Sequence, residues 1–341
     1  MEERKELINR YVFKGLSVQK ACTQSGFSRS GYYYKASDSK RGKPATNSTQ
    51  KLDGSWVDNS IIIEKIKEII NSDFIDYGYR KVGILLQKEY LINHKKVYRL
   101  MKENRLLNPK KRTPSSLKSY VKYSQPYPAY PFNCLEIDIK YIYIAGDNMN
   151  AYLITILDVL SRKALVWELD FSMKSDKVLK LFDKLIETYL QAEDLLNKKM
   201  SVILRSDNGS QFIAKKVQKY LKENHLVQEF IKPATPEQNG YIESFHSTVE
   251  KLVCQKFEFE SLANAIDTFT QFYETYNNKR ILACLDNKTP NEFLELFAQN
   301  LVDVTYSIKK KKQSFNFRKQ QELKIDLLPF QSIFMGYQQN Y

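Results

Sequence analysis

The chain has 341 residues, and its 53 Lys and Arg outweigh 39 Asp and Glu to give a net charge of +14. That length calls for two or three domains with apolar cores, and no apolar run approaches the roughly 18 residues of a membrane span. The four cysteines, Cys22, Cys134, Cys254 and Cys284, form no C-x-x-C pair, and the three histidines are His94, His225 and His246. This pattern excludes a His/Cys zinc module and fits thiols in a reducing compartment. The start, Met1 to Glu6, is charged almost throughout, so no secretory leader is expected and the expected location is the cytoplasm.

The charge is unevenly placed. Residues 1–124 carry 26 basic and 12 acidic side chains, residues 125–299 carry 20 and 24, and residues 300–341 carry 7 and 3. A basic front joined to a slightly acidic middle points to polyanion binding at one end and metal chemistry at the other.

Residues 1–35 read as three short helices, about Glu3–Lys14, Val18–Gln24 behind a Ser17 cap, and a third behind Ser28 that carries Tyr32, Tyr33 and Tyr34. They make a small helix-turn-helix-like unit, with plain scaffold or an oligomerisation piece as the alternative. Residues 36–55, rich in Ser, Lys and Gly with one Pro44, read as a flexible linker. Residues 56–107 form a second helical unit. Its first helix, about Val57–Ser72, has an apolar stripe of Ile62, Ile63, Ile66, Ile69 and Ile70. Tyr77-Gly78-Tyr79-Arg80 turns into a helix of about Arg80–Glu89, and Asn93 caps a third of about His94–Asn104. There Val97, Leu100 and Met101 point inward, while His94, Lys95, Lys96, Arg99 and Lys102 share the outer face. A helix with one basic face after a tight turn is a candidate DNA-recognition helix, the alternative being a solvated charged surface. Residues 108–131, with Lys110, Lys111, Arg112 and several prolines, read as an extended basic segment lying on phosphates or as a spacer.

From Phe132 the pattern changes. Strands of about Asn133–Ala145, Ala151–Leu157 and Lys163–Leu169 follow one another as hairpins. Then come a helix of Lys177–Gln191, a strand of Val202–Arg205, a helix of Phe212–Glu223 and a strand of Val227–Ile231. Helices of about Tyr241–Phe257 and Ala263–Asn277 close the segment. This order predicts an α/β domain over 132–298, a mixed sheet with helices on both faces. The basic tail, 299–341, has alternating stretches at Val302–Ile308 and Ser332–Met335 that add strands or lie on DNA.

Three acids stand out. Asp138 lies on the polar side of the first strand, Asp207 at the exit of the fourth, and Glu243 in the first turn of a helix, with 35 residues between the last two. Two strand aspartates and a helix glutamate make a hard-oxygen cage for Mg²⁺, as two-metal phosphoryl transfer requires. Taken singly, each has an ordinary role: a solvent-facing strand residue, a turn residue, and a first-turn acid favoured by the helix dipole.

The triad and its flanking blocks, Asp207-Asn208-Gly209-Ser210-Gln211-Phe212 and Pro236-Glu237-Gln238-Asn239-Gly240-Tyr241-Ile242-Glu243-Ser244-Phe245, resemble the D-D-E transposases of the retroviral-integrase-like superfamily. The likeness is to the catalytic, OrfB-type transposases of bacterial insertion sequences with frameshifted reading frames. It implies a ribonuclease H-like core and metal-dependent DNA cleavage and strand transfer through Asp138, Asp207 and Glu243. Two Mg²⁺ ions, with Mn²⁺ able to substitute, are the implied cofactors. The implied partners are element ends, target DNA, further copies of the chain, and an upstream-frame subunit. Tyr276 to Arg280 and Thr289 to Phe293 resemble the family's closing block, but Ile281-Leu282 stands where it carries Pro-His. Asp158 falls in another such block and reads as a turn cap. Leu135 and Lys140 replace the usual Trp and Thr around the first Asp. Glu250, two helical turns beyond Glu243, stands where the family carries Lys or Arg, and Lys251 is the nearest base for a DNA contact. His246 and Ser247 share the Glu250 face. A domesticated DNA-binding protein with an inactive core is the alternative, and a plain ribonuclease H-type nuclease is disfavoured by the two helical units.

Overall fold

The computed structural model describes residues 2–34, 45–109, 127–192, 195, 200–232, 236–307 and 312–318. The expected basic cluster Lys110-Lys111-Arg112 and the alternating stretch near Ser332 lie outside the described residues. The chain divides into two compact units, one ending at Asn47 and one beginning at Ser48.

The first unit holds α1 (Glu2–Phe13), α2 (Val18–Ser25) and α3 (Arg29–Tyr33). The Ser17 hydroxyl accepts from the Lys20 N–H and Ser28 from the Gly31 N–H, the expected caps. Gly26 ends α2 with φ of 62°, a left-handed position that suits glycine. Ile8, Ala21 and Cys22 are buried at the centre, which explains an unpaired thiol there.

The second unit opens with β1 (Ser48–Lys51), β2 (Trp56–Asp58), α4 (Asn59–Asn71), α5 (Tyr79–Leu86), β3 (Tyr90–Leu91) and α6 (His94–Glu103). The linker expected over 36–55 therefore gives way to a strand at Ser48, and the helix expected from Val57 is preceded by β2. The three strands pair in the order β2-β1-β3. Ser48-Thr49-Gln50-Lys51 is short and polar, and its pairing with Tyr90–Leu91 is long-range, so local periodicity carries no sign of it. Asp58 caps α4 by accepting from the Ser60 N–H at 2.8 Å. Ile62, Ile66, Val82, Leu86, Val97, Leu100 and Met101 form the core of this segment, as the helical stripes require.

The remainder contains β4 (Cys134–Ile144), β5 (Met149–Asp158), β6 (Ala164–Asp170), α7 (Ser175–Leu185), β7 (Val202–Ser206), α8 (Ser210–Ile213), α9 (Lys215–Glu223) and β8 (Leu226–Phe230). It closes with α10 (Gly240–Val249), α11 (Leu262–Asn278), α12 (Pro290–Ala298), β9 (Val302–Ser307) and β10 (Lys312–Phe317). One π-helical turn, Glu250–Cys254, extends α10. The five strands order as β6-β5-β4-β7-β8. Pairing is antiparallel from β6 to β4 and parallel from β4 through β7 to β8. This is the ribonuclease H-like mixed sheet.

Both faces of the sheet are covered, and alternation along β4 assigns its side chains to them. Leu135 and Ile137 pack with Val178, Phe182, Val217 and Leu221 of α7 and α9. Ile142 and Ile144 pack with Phe245, Val249, Phe269 and Phe272 of α10 and α11. The even-numbered side chains Glu136, Asp138 and Lys140 therefore belong to the α10 side. At the far end, Phe315 and Phe317 of the β9–β10 hairpin meet Phe293 of α12, the closer ring at 4.9 Å. Among the described residues no helix is long and apolar enough to cross a membrane.

Candidate active site

The site is organised on β4 and β7. These are parallel neighbours paired as far as Glu136 and Arg205, and Asp138 and Asp207 each follow that pair by two residues. Asp138 is about a quarter exposed, its Oδ1 accepts from the Ile139 N–H at 2.8 Å, and its Oδ2 lies 3.4 Å from Nδ1 of His246. Asp207 is half-buried just beyond the end of β7, and its Oδ1 accepts from the Gly209 N–H at 3.0 Å. Burial pushes the Asp207 carboxyl above the ordinary carboxylate range and the negative charge of Asp138 pushes it further, outweighing the Gly209 hydrogen bond. The two acids thus share one electrostatic environment. Among the described residues neither is paired with a lysine or arginine.

Glu243 stands exposed in the first turn of α10. Its backbone is fixed by the residues before it. The Ile242 N–H donates to Glu136 Oε2 at 2.8 Å, and Asn239 Nδ2 donates to the Ile137 carbonyl at 3.2 Å. The N-terminus of α10 is moored to β4 at the two residues that precede Asp138. Glu136 is fully buried, and burial raises its carboxyl to about 7 against the Ile242 N–H and the charges of Arg205 and Arg162. Among the described residues no three His, Cys, Asp or Glu side chains are gathered closely enough to hold a metal ion. The fold assembles the aspartate pair, and Glu243 is exposed on a helix tied to the same strand.

Other residues singled out in the sequence meet different fates. His94, Lys95 and Lys102 lie exposed on α6. Lys96 is partly buried, and its Nζ donates to the Ser48 carbonyl at 2.5 Å, so it helps hold β1. Arg99 is partly buried and lies 3.8 Å from Glu103. Lys251 is bound by Asp76, which also takes Arg280 at 2.9 Å, so it ties the end of α10 to the helical segment. Asp158 is fully buried and accepts from Ser161 and the Phe132 N–H, the turn cap expected of it.

Sequence reasoning missed Glu136, His246 as the neighbour of Asp138, and an ion pair of 2.8 Å between Lys140 and Glu250. The signal was available. Period-two alternation sets Glu136, Asp138 and Lys140 on one face of β4, and i+3 spacing sets His246 behind Glu243.

The chain matches the model "Integrase core domain" over residues 128–236, and a second model of that description over residues 224–290. Residues 57–113 match "HTH-like domain". Together with the relatives below, these matches support an insertion-sequence transposase of the DDE superfamily. This transposase is 26% identical over 242 residues to the putative transposase InsK of insertion sequence element IS150 from Escherichia coli K12, covering 67% of the chain and 81% of that protein. It is 26% identical over 296 residues to a protein of insertion element IS476 from Xanthomonas euvesicatoria, covering 86% of the chain and 77% of that protein. With the transposase of IS904 from Lactococcus lactis it shares 29% over 153 residues, 44% of the chain and 57% of that protein. Among solved structures, the simian T-cell lymphotropic virus intasome aligns with a TM-score of 0.40 at 14% identity, covering 64% of the chain and 70% of that one. The HTLV-2 integrase catalytic core in complex with magnesium aligns at 0.34 and 18%, covering 48% of the chain and 96% of that one.

Proposed function

We propose that the transposase cuts DNA strands at the ends of an insertion sequence and joins the freed 3′-hydroxyls to target DNA, with Asp138, Asp207 and Glu243 as its catalytic carboxylates. The observation that carries this is the half-buried aspartate pair, Asp138 on β4 and Asp207 just beyond the end of the neighbouring β7, with the helix of Glu243 moored to β4.

The donor set fits divalent metal. Two hard-oxygen ligands lie close together, burial and the charge of Asp138 disfavour the charged form of Asp207, and a dication offsets both. Asp138, Asp207 and Glu243 would hold two Mg²⁺ ions, or Mn²⁺ in their place. When bound, they supply an activated water or 3′-hydroxyl and stabilise the leaving oxygen. The rest falls to the chain. The Gly209 N–H and the β7 exit orient Asp207. His246, itself buried, orients Asp138 from α10. Glu136 and Asn239 keep the first turn of α10 in place. No covalent bond between enzyme and DNA is required.

The domain roles follow the charge. Residues 1–35 and 56–107 are DNA-binding units, residues 108–131 a basic connection, and 132–298 the catalytic core, which acts on DNA as an assembly of copies. An upstream-frame subunit is a further candidate partner. The test is incubation of the full chain with a labelled duplex carrying the end of the element that flanks its reading frame, with Mg²⁺ or Mn²⁺. Nicked and joined strands on a gel support the reading. A protein that binds the duplex and never nicks it is the inactive-core alternative.

The exposures on α6 rank its cations. Replacing Lys95 and Lys102 together with Ala is expected to weaken duplex binding and lower the slope of log affinity against log salt by about 2, one for each phosphate no longer neutralised. Lys96→Ala changes thermal stability more than the slope, because its ammonium already serves Ser48. Anisotropy titrations at several salt concentrations separate the two, and equal slopes for the Lys95/Lys102 double variant and the parent would make α6 scaffold.

A further inference from the structure

The Lys140–Glu250 pair is unexplained by anything above. Lys140 follows Asp138 by two residues on β4, so both side chains leave the same face about 7 Å apart. The Lys140 ammonium lies 2.8 Å from Glu250 Oε2, with side-chain exposures of 20% and 45%. The Lys140 hydrogen bond, foremost, holds the Glu250 carboxyl below its ordinary range. Glu250 begins the π-helical turn that extends α10, the helix that also carries Glu243 and His246.

This places a cation where an anionic substrate most needs one. Asp138, Asp207 and Glu243 together repel a phosphate backbone. Lys251, on the turn that extends α10, is likewise ion-paired, but its partner Asp76 belongs to the helical segment and not to the helix that carries Glu243. Lys140 keeps two of its three N–H donors beyond the one given to Glu250. The side chain is largely covered and its ammonium is held by Glu250, so the ammonium is aimed rather than free to sweep. The paired carboxylate accounts for that aim, since a lone lysine loses more side-chain freedom on meeting a phosphate.

We propose that Lys140 binds a backbone phosphate of the DNA strand lying across the aspartate pair, and that Glu250 is its positioning residue, holding the ammonium beside Asp138. The inference rests on the DNA-cutting reading above. An acid at position 250 then serves binding by fixing the cation on the neighbouring strand, rather than opposing it.

The test uses the full chain and the labelled element-end duplex. Binding is read by anisotropy with Ca²⁺ in place of Mg²⁺, and joining is read with Mg²⁺. Lys140→Gln is expected to weaken binding about tenfold and reduce the salt slope by about one, while Lys140→Arg stays within about twofold. Glu250→Gln is expected to retain the slope and lower the joining rate several-fold at saturating DNA, because the freed ammonium is no longer aimed. If Lys140→Gln destabilises the fold, Lys140→Gln/Glu250→Gln removes both charges together and carries the same binding expectation. Unchanged affinity and salt slope in folded Lys140→Gln, or in the double variant, would overturn the proposal and leave the pair a structural brace. Failure of the parent protein to nick or join the duplex would instead refute the DNA-cutting reading, which separates the two.

Discussion

Asp207→Asn is expected to abolish cleavage and joining, by on the order of 10³-fold or more, while duplex binding stays within about twofold of the parent. The change is nearly isosteric, and the amide oxygen still accepts from the Gly209 N–H that now orients Oδ1. What disappears is one of two negative charges. Because burial, and then Asp138, raise the folded-state carboxyl above its unfolded value, the ionised form is disfavoured by the fold at neutral pH. Removing that charge should leave the melting temperature unchanged or raise it, the pattern of a residue kept for chemistry at the expense of stability. Binding should persist because the exposed basic residues of α6 lie on a different element from the acids. A gel assay, an anisotropy titration and a thermal melt on one preparation test all three parts. Loss of duplex binding in a folded Asp207→Asn protein would show that the acids also hold DNA, against the division of charge along the chain.

How far the sequence foretold this arrangement depends on the kind of signal. The order of strands and helices from Phe132 onward was legible because each element is long, apolar on one side and bounded by turn residues. Asp138 and Asp207 were legible as a pair because each ends or punctuates such a strand. The mooring of Glu243 was not, since it depends on Glu136, a buried acid whose partner, the Ile242 N–H, lies 106 residues away. Alternation placed Glu136 on the right face, but nothing local distinguishes a buried strand acid from a solvated one until α10 covers it. β1 escaped for the same reason, since a polar four-residue strand becomes one only through pairing with β3. Lys251 reads locally as a basic residue near Glu243. Only the meeting of its helix with Asp76 shows that it is ion-paired. The Lys140 and Glu250 departures looked like two unrelated substitutions in the chain and form one pair in space.

Arg280 supplies the second large effect. In the sequence it falls in the block that resembles the family's closing block. In the structure it is buried, donates Nη1 to the Phe74 carbonyl at 3.3 Å and Nη2 to Asp76 at 2.9 Å. Beside it the Tyr77 hydroxyl accepts from the Ile281 N–H at 2.8 Å, and Lys81 Nζ donates to the Ile281 carbonyl at 2.8 Å. Residues 74–81 of the helical segment are thereby fastened to residues 280–281 of the core. Arg280→Met keeps the apolar stem and removes the charge, leaving Asp76 with Lys251 alone. Because Asp76 is 23% exposed, water softens the loss, and a cost of about 2–3 kcal/mol, or about 5 °C in melting temperature, is expected. The pH dependence identifies the partner. Burial, the largest single influence on Asp76, raises its carboxyl, but the combined hydrogen bonds and charges of Lys251 and Arg280 bring it below the ordinary value. A folded-state pKa below the unfolded one, about 3.9, contributes stability that is complete above that value and is lost as pH falls through the folded pKa. The gap in melting temperature between parent and Arg280→Met should therefore be full at neutral pH and narrow below about pH 4 as Asp76 is protonated in the parent. Equal gaps at pH 7 and in acid would mean that Arg280 acts through the Phe74 carbonyl and packing, and that the Asp76 charge contributes little to joining the two segments.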